Sequence, residues 1–201
     1  MKLLKIIVVL VAIVLLNSCA SSYKSISPEQ LDYNSTEINE GVALEYKYNL
    51  LNKKYSRKET KKGVKLVAVK LTNSTEKELI FGQNLKLVDS KGNELSILSE
   101  EVVFKALKQH PATHLFYLLL SPLQLYSGSS SGQGSGTPIG LVVAPVITGT
   151  NVIVSSKANK KFKKDLLSYN IIGNTIKKGE TVYGLIGIKA DDYDAIKMII
   201  E

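Results

Sequence analysis

An antiparallel β-sandwich interrupted by a helical, apolar hairpin is the mainly β fold that this sequence predicts, on three observations. Short runs of alternating apolar and polar residues recur towards both ends of the chain, at 42–50, 64–72 and 181–188. Turn-forming clusters separate such runs, among them Asn73-Ser74-Thr75, Asp89-Ser90-Lys91-Gly92-Asn93 and Lys178-Gly179-Glu180. Between 99 and 170 the alternation stops, and long apolar runs and a lysine-rich helical pattern replace it.

Taken in order, residues 20–41 read as a polar tether, rich in Ser and Asn, in which Tyr23, Leu31 and Tyr33 are the residues able to pack. In the strand 42–50, Val42, Leu44, Tyr46, Tyr48 and Leu50 alternate with Ala43, Glu45, Lys47 and Asn49. The basic stretch Lys53, Lys54, Arg57, Lys58, Lys61 and Lys62 reads as a loop or twisted hairpin end closed by Gly63. Strand 64–72 follows, and its continuous Leu66, Val67, Ala68 and Val69 imply cover on both faces. Shorter strands are expected at 78–81, 85–88 and 94–98, the last two joined by the turn at 89–93.

Ser99 has the character of a helix N-cap, with Glu100 and Glu101 in the favourable first turn and Pro111 limiting the helix near Lys108. Residues 115–126 and 140–154 are two apolar arms joined by a Gly/Ser tract at 127–135, with Pro138 at a helix start. Each arm is shorter than a membrane span. The segments 146–148 and 151–154 are also compatible with strands, because β-branched residues dominate them. Residues 157–167 form a better helix, with Ala158, Phe162 and Leu166 on one face and Lys160, Lys161, Lys163 and Lys164 around it. The chain ends in strand 181–188 and a last strand or helix at 195–200.

The 201 residues carry a formal charge of +8, with 44% hydrophobic residues, one Cys, no Trp and two His. This suits one domain with a proper core. The start of the chain has the form of a targeting segment: Lys2 and Lys5, then eleven unbroken apolar residues from Ile6 to Leu16, then Leu16-Asn17-Ser18-Cys19. That stretch resembles the lipobox of bacterial lipoproteins, with Leu at −3, a small residue at −1 and then Cys; Asn17 departs from the small or apolar residue usual at −2. The resemblance implies that residues 1–18 are a signal peptide and that Cys19 carries lipid; composition and strand pattern give 19–41 as tether and 42–201 as sandwich with an insertion at 99–170. Position +2 is not Asp, which within that family favours the outer membrane, facing the periplasm. Without Lys2 and Lys5 the charge is +6. In the cell envelope such a surface meets anionic lipid or envelope polymer rather than nucleic acid. With Cys19 lipidated no disulfide forms.

Val69-Lys70-Leu71-Thr72-Asn73-Ser74, and Lys178-Gly179-Glu180-Thr181-Val182-Tyr183-Gly184 near the end, are similar to the immunoglobulin-like domains of bacterial lipoproteins and related telokin-like envelope proteins. The similarity covers about 100 residues, at 42–98 and 171–200, and implies a binding or scaffolding module. The insertion at 99–170 has no counterpart there.

No motif specifies catalysis or a cofactor. His110 and His114 have the spacing of a helical metal pair, but Pro111 intervenes and no HExxH glutamate is present. Asp191-Asp192-Tyr193-Asp194 lacks the Gly and distal Glu of a Ca²⁺ loop. Gly132, Gly134, Gly136 and Gly140 match neither phosphate-binding pattern, and no Ser sits in a GxSxG or SxxK motif. The sequence therefore predicts no metal and no cofactor. The basic residues Lys53, Lys54, Arg57, Lys58, Lys160, Lys161, Lys163 and Lys164 are the candidates for membrane or anion contact. Segment 115–154 is read as hairpin core, as a membrane-touching hairpin or as an interface for self-association or an envelope partner. The leading expectation is a lipid-anchored, non-enzymatic envelope protein. The alternatives are an envelope enzyme using His110 or His114 as base, and an accessory subunit of a secretion or assembly machine.

Overall fold

The computed structural model describes residues 20–127 and 135–201; residues 1–19, for which a signal peptide and a lipidated Cys19 are expected, and most of the Gly/Ser tract lie outside the described residues. The described chain forms one five-stranded antiparallel sheet, three two-stranded sheets and three α-helices. The architecture is mixed α/β with substantial strand content, where the sequence predicts a mainly β sandwich. Two compact units result: Gln109–Ala158 with the chain up to Ser22, and Tyr23–Lys108 with Asn159–Glu201.

In the larger unit the main sheet has the order β1 (Ser35–Asn39), β2 (Val42–Lys47), β3 (Val64–Asn73), β10 (Thr181–Lys189), β6 (Ile97–Leu98). Central β3 is buried along most of its length, as a strand covered on both faces must be. Its register against β10 pairs Val67 with Ile186 and Ala68 with Leu185. Val67, Val69 and Leu71 enter a core with Val42, Leu44, Ile186 and Ile188. That core is completed by residues of β4 (Leu79–Ile80) paired with β9 (Thr175–Ile176), and of β5 (Leu85–Val88) paired with β11 (Lys197–Ile200).

Helices lie on the other face. α1 (Lys53–Lys62) and α2 (Glu100–Leu107) contact β3, and α2 also contacts β10. Gly187 permits that approach: a Cβ there would lie 2.1 Å from Val103 Cγ2. On the helical side Tyr23, Tyr55 and Phe162 form a ring cluster with centroids 5.1–5.4 Å apart, and Tyr55 donates to Asn159 Oδ1 at 3.0 Å.

Three expectations are corrected in this unit. The tether assigned to 19–41 carries β1, which closes on β2 through Glu40 (φ +47°) and Gly41 (φ +83°). Positive φ at both central residues is the type I′ geometry whose twist suits adjacent strands. Tyr23 and Ile26 are also buried. The loop expected around Lys53–Lys62 is helix α1, ended by Gly63 in the left-handed region with its N–H on the Glu59 carbonyl. Only Tyr55 and Glu59 of α1 are buried, so the sequence shows no apolar stripe. The insertion expected at 99–170 is narrower, because α2 and residues 159–168 belong with the sheet.

In the smaller unit the first arm is the 3₁₀ helix Pro111–Leu120. A short pair of strands, β7 (Leu125–Ser127) and β8 (Ser135–Thr137), follows it. The second arm and the lysine helix expected separately are one helix, α3 (Gly140–Ser168), with Pro145 inside it. The strands considered for 146–148 and 151–154 do not form.

Candidate functional site

The two groups of basic residues proposed from sequence both lie in the larger unit, where the end of α2 joins them. α1 carries Lys53, Lys54, Arg57 and Lys58; Lys53 and Arg57 are exposed, while Lys54 and Lys58 are half-buried. The Lys58 ammonium donates to the carbonyl of Lys108, the residue that caps α2. Burial, and then the neighbouring Lys62, Lys54, Lys108 and Lys61 charges, hold Lys58 below the usual ammonium range. Lys108 and Lys163 each place an ammonium 5.6 Å from the ring centre of Phe104. Lys160, Lys161, Lys163 and Lys164 are exposed on α3, and an open groove there has Phe104 and Leu167 beside Lys160, Lys163 and Lys164.

Ion pairs among the described residues include Glu45–Lys70, Lys86–Glu201, Glu101–Lys105 and Glu76–Lys178. None includes Lys58, Lys108, Lys160, Lys161, Lys163 or Lys164. The result is a basic face with an aromatic centre, able to hold anions by charge while offering apolar surface between the ammonium groups. Phe104 and Lys108 are the members that sequence reasoning missed. The signal available was a lysine just past the end of a helix whose Phe falls four residues earlier.

In the smaller unit the polarity of the elements is reversed. On α3, Ala144, Thr148, Asn151 and Ser155 are buried, whereas Leu141, Val142, Val143, Val146 and Ile153 are exposed. In the 3₁₀ helix His114 and Tyr117 are buried, with their rings stacked at 6.1 Å, whereas Leu115, Phe116, Leu118 and Leu119 are exposed. Of seventeen large apolar residues exposed in the described chain, eleven belong to this unit. Asn151, Gln109 and Ser155 are hydrogen bonded there, while the Thr148 hydroxyl is buried without a partner among the described residues. Asn151 accepts from the Ala20 N–H at 2.7 Å and donates to the Ile147 carbonyl at 3.0 Å. The Gln109 amide makes reciprocal bonds with the Ser21 backbone, at 3.0 and 2.6 Å. Ser155 donates to the Asn151 carbonyl at 2.7 Å.

His110 is exposed at the start of the 3₁₀ helix and His114 is buried against Tyr117, so the two are not a pair on one open face. Among the described residues no group of three or more His, Cys, Asp or Glu side chains is placed to hold a metal ion. Asp191, Asp192 and Asp194 line a cleft with Asp89 and Tyr48. Glu59 is a buried carboxylate with an incomplete set of partners. One of its oxygens accepts the Leu66 N–H at 2.8 Å, the other has no partner, and burial pushes its carboxyl up to about 7.

No family model, no curated protein and no solved structure matches this chain.

Proposed function

We propose that this chain is a lipid-anchored cell-envelope protein with a non-enzymatic binding or scaffolding role, in which the apolar stretch 115–154 meets a membrane or a partner. The observation that carries the reading is the concentration of outward-facing apolar side chains in the unit containing that stretch, since such patches mark interaction surfaces. The lipobox-like Leu16-Asn17-Ser18-Cys19 supports the anchor. On this reading Cys19 bears the lipid, the protein resides at the outer membrane facing the periplasm, and no residue is assigned a catalytic step.

The sheet unit is then the presenting module, an immunoglobulin-like sandwich elaborated by helices. Support for that finer assignment is the core shared by the main sheet with β4, β9, β5 and β11 on one side. The basic face around Phe104 serves contact with anionic headgroups or envelope polymer.

Metabolic labelling with an alkyne analogue of palmitate tests the anchor. Wild-type chain is expected to incorporate label and Cys19→Ala chain is not. A wild-type chain with no more label than the variant removes the lipid from the reading. A photo-crosslinking residue placed at Leu119 tests the contact role, with adducts to lipid or to a defined envelope protein as the expected result.

A further inference from the structure

We infer that the smaller unit is built inside out and that the hydrocarbon layer of a membrane is what covers it. A helix of a water-soluble unit turns its branched apolar residues inward and its polar residues outward. α3 does the opposite over its first half, with Thr148, Asn151 and Ser155 inside and Leu141, Val142 and Val146 outside. The 3₁₀ helix repeats the inversion, with His114 inside and Phe116 and Leu119 outside. Small and polar residues between helices, with aliphatic residues facing outward, is the pattern of helices packed in lipid, where nothing drives apolar side chains inward.

Three further observations favour lipid over a protein partner. From Gln109 to Ser156 the chain contains no Asp, Glu, Lys or Arg, as suits a hydrocarbon layer, where a charged side chain is costly. Lysines bracket the charge-free stretch on both sides, Lys105 and Lys108 before it and Lys157, Lys160 and Lys161 after it. That placement suits anionic headgroups at the edge of an apolar layer. Finally, residues 20 and 21 are held within this unit: the Ala20 N–H donates to Asn151, and the Ser21 backbone bonds with Gln109. Cys19 is the residue before Ala20, so no spacer would separate a lipid there from the unit. α3 is also long and apolar enough by composition to cross a membrane, and its outward residues would lie against acyl chains along roughly 25 Å of the charge-free segment.

This deepens the function proposed above by naming what meets the apolar unit, but it does not require the lipid on Cys19. The chain lacks Trp, so single-Trp variants report position without background. The full chain carrying Phe116→Trp, Val142→Trp or Ile38→Trp is reconstituted into vesicles of phosphatidylethanolamine and phosphatidylglycerol containing doxyl-labelled phospholipid. All three positions are exposed, and Ile38 is the control on β1. Trp at 116 and at 142 is expected to emit at shorter wavelength and to be quenched several-fold more strongly than Trp at 38. Equal, weak quenching at all three positions overturns the inference. So does blue-shifted emission without quenching, which means a protein covers the surface. The same measurement on Cys19→Ala chains, inserted from detergent, separates the two ideas. Retained quenching with a mass showing no lipid on wild-type Cys19 keeps the buried unit and removes the anchor. Quenching lost in Cys19→Ala shows that the unit does not enter hydrocarbon on its own account and overturns the inference.

Discussion

Glu59 places an ionisable group where ionisation opposes folding. It is 1% exposed, stands in the last turn of α1, where the helix dipole disfavours negative charge, and has one oxygen without a partner. The Leu66 N–H and the Lys65 charge offset burial only in part, leaving the folded carboxyl at about 7 against an ordinary 4.5. The folded state therefore holds its proton more tightly than the unfolded one. Stability from this group is full below about 4.5 and declines as pH rises through about 7. The loss amounts to about 3 kcal/mol as an upper figure. Glu59→Gln keeps an oxygen for the Leu66 N–H and removes the ionisation. Urea unfolding is expected to show wild type weaker at pH 8 than at pH 5 by about 1–3 kcal/mol, with a flatter dependence in the variant. An equal pH slope in both chains counts against Glu59 as the source. None of this was legible in the sequence, where Glu59 is one carboxylate among basic neighbours and its burial arises only when α1 packs on β3, the strand that follows it.

At the scale of elements, legibility followed periodicity. β2, β3 and β10 alternate or run continuously apolar, and the turn at Asp89 carries its own signal, since the Asp89 carboxylate accepts the Lys91 and Asn93 N–H groups. β1 was hidden because its residues Ser35, Thr36, Glu37 and Asn39 are polar and it lies at the sheet edge, where one neighbour suffices. α1 was hidden because its inward face is Tyr55 and Glu59 alone. α3 was divided because Pro145 and its β-branched residues oppose helix locally, yet one helix of twenty-nine residues forms across them. The basic face formed by α1, the end of α2 and α3 shares this dependence, since two separate lysine runs become one surface only through Phe104 and Lys108. Replacing Lys160, Lys161, Lys163 and Lys164 by Gln is expected to weaken binding to phosphatidylglycerol vesicles by about 1 kcal/mol per residue at low salt, and less as salt is raised. Co-sedimentation over a salt series checks this. In a chain that also carries Cys19→Ala and has Leu115, Phe116, Leu119, Val142 and Val146 replaced by Ser, so that neither other attachment masks the change, unchanged binding at low salt shows that the face does not touch the bilayer.

At the scale of the whole molecule, the function proposed above gives the chain two attachments to a membrane, lipid on Cys19 and the outward apolar residues, and their contributions would combine. Lipid on Cys19 contributes about 0.8 kcal/mol for each buried CH₂. Each outward Leu, Val or Phe of the smaller unit contributes about 1.5–3 kcal/mol when it leaves water. Either source alone is then enough to hold the chain in an apolar phase, and the effect of removing one is masked by the other. In detergent phase partitioning, wild type and Cys19→Ala are both expected in the detergent-rich phase. A chain with Leu115, Phe116, Leu119, Val142 and Val146 all replaced by Ser is expected to remain there while Cys19 is present, held by its lipid. These five positions are exposed, so the replacements open no cavity. Only the chain combining them with Cys19→Ala is expected in the aqueous phase, with its far-ultraviolet circular dichroism retained. If Cys19→Ala alone is aqueous, the outward residues contribute no attachment. If the combined variant stays with detergent while folded, some surface other than these two holds the molecule.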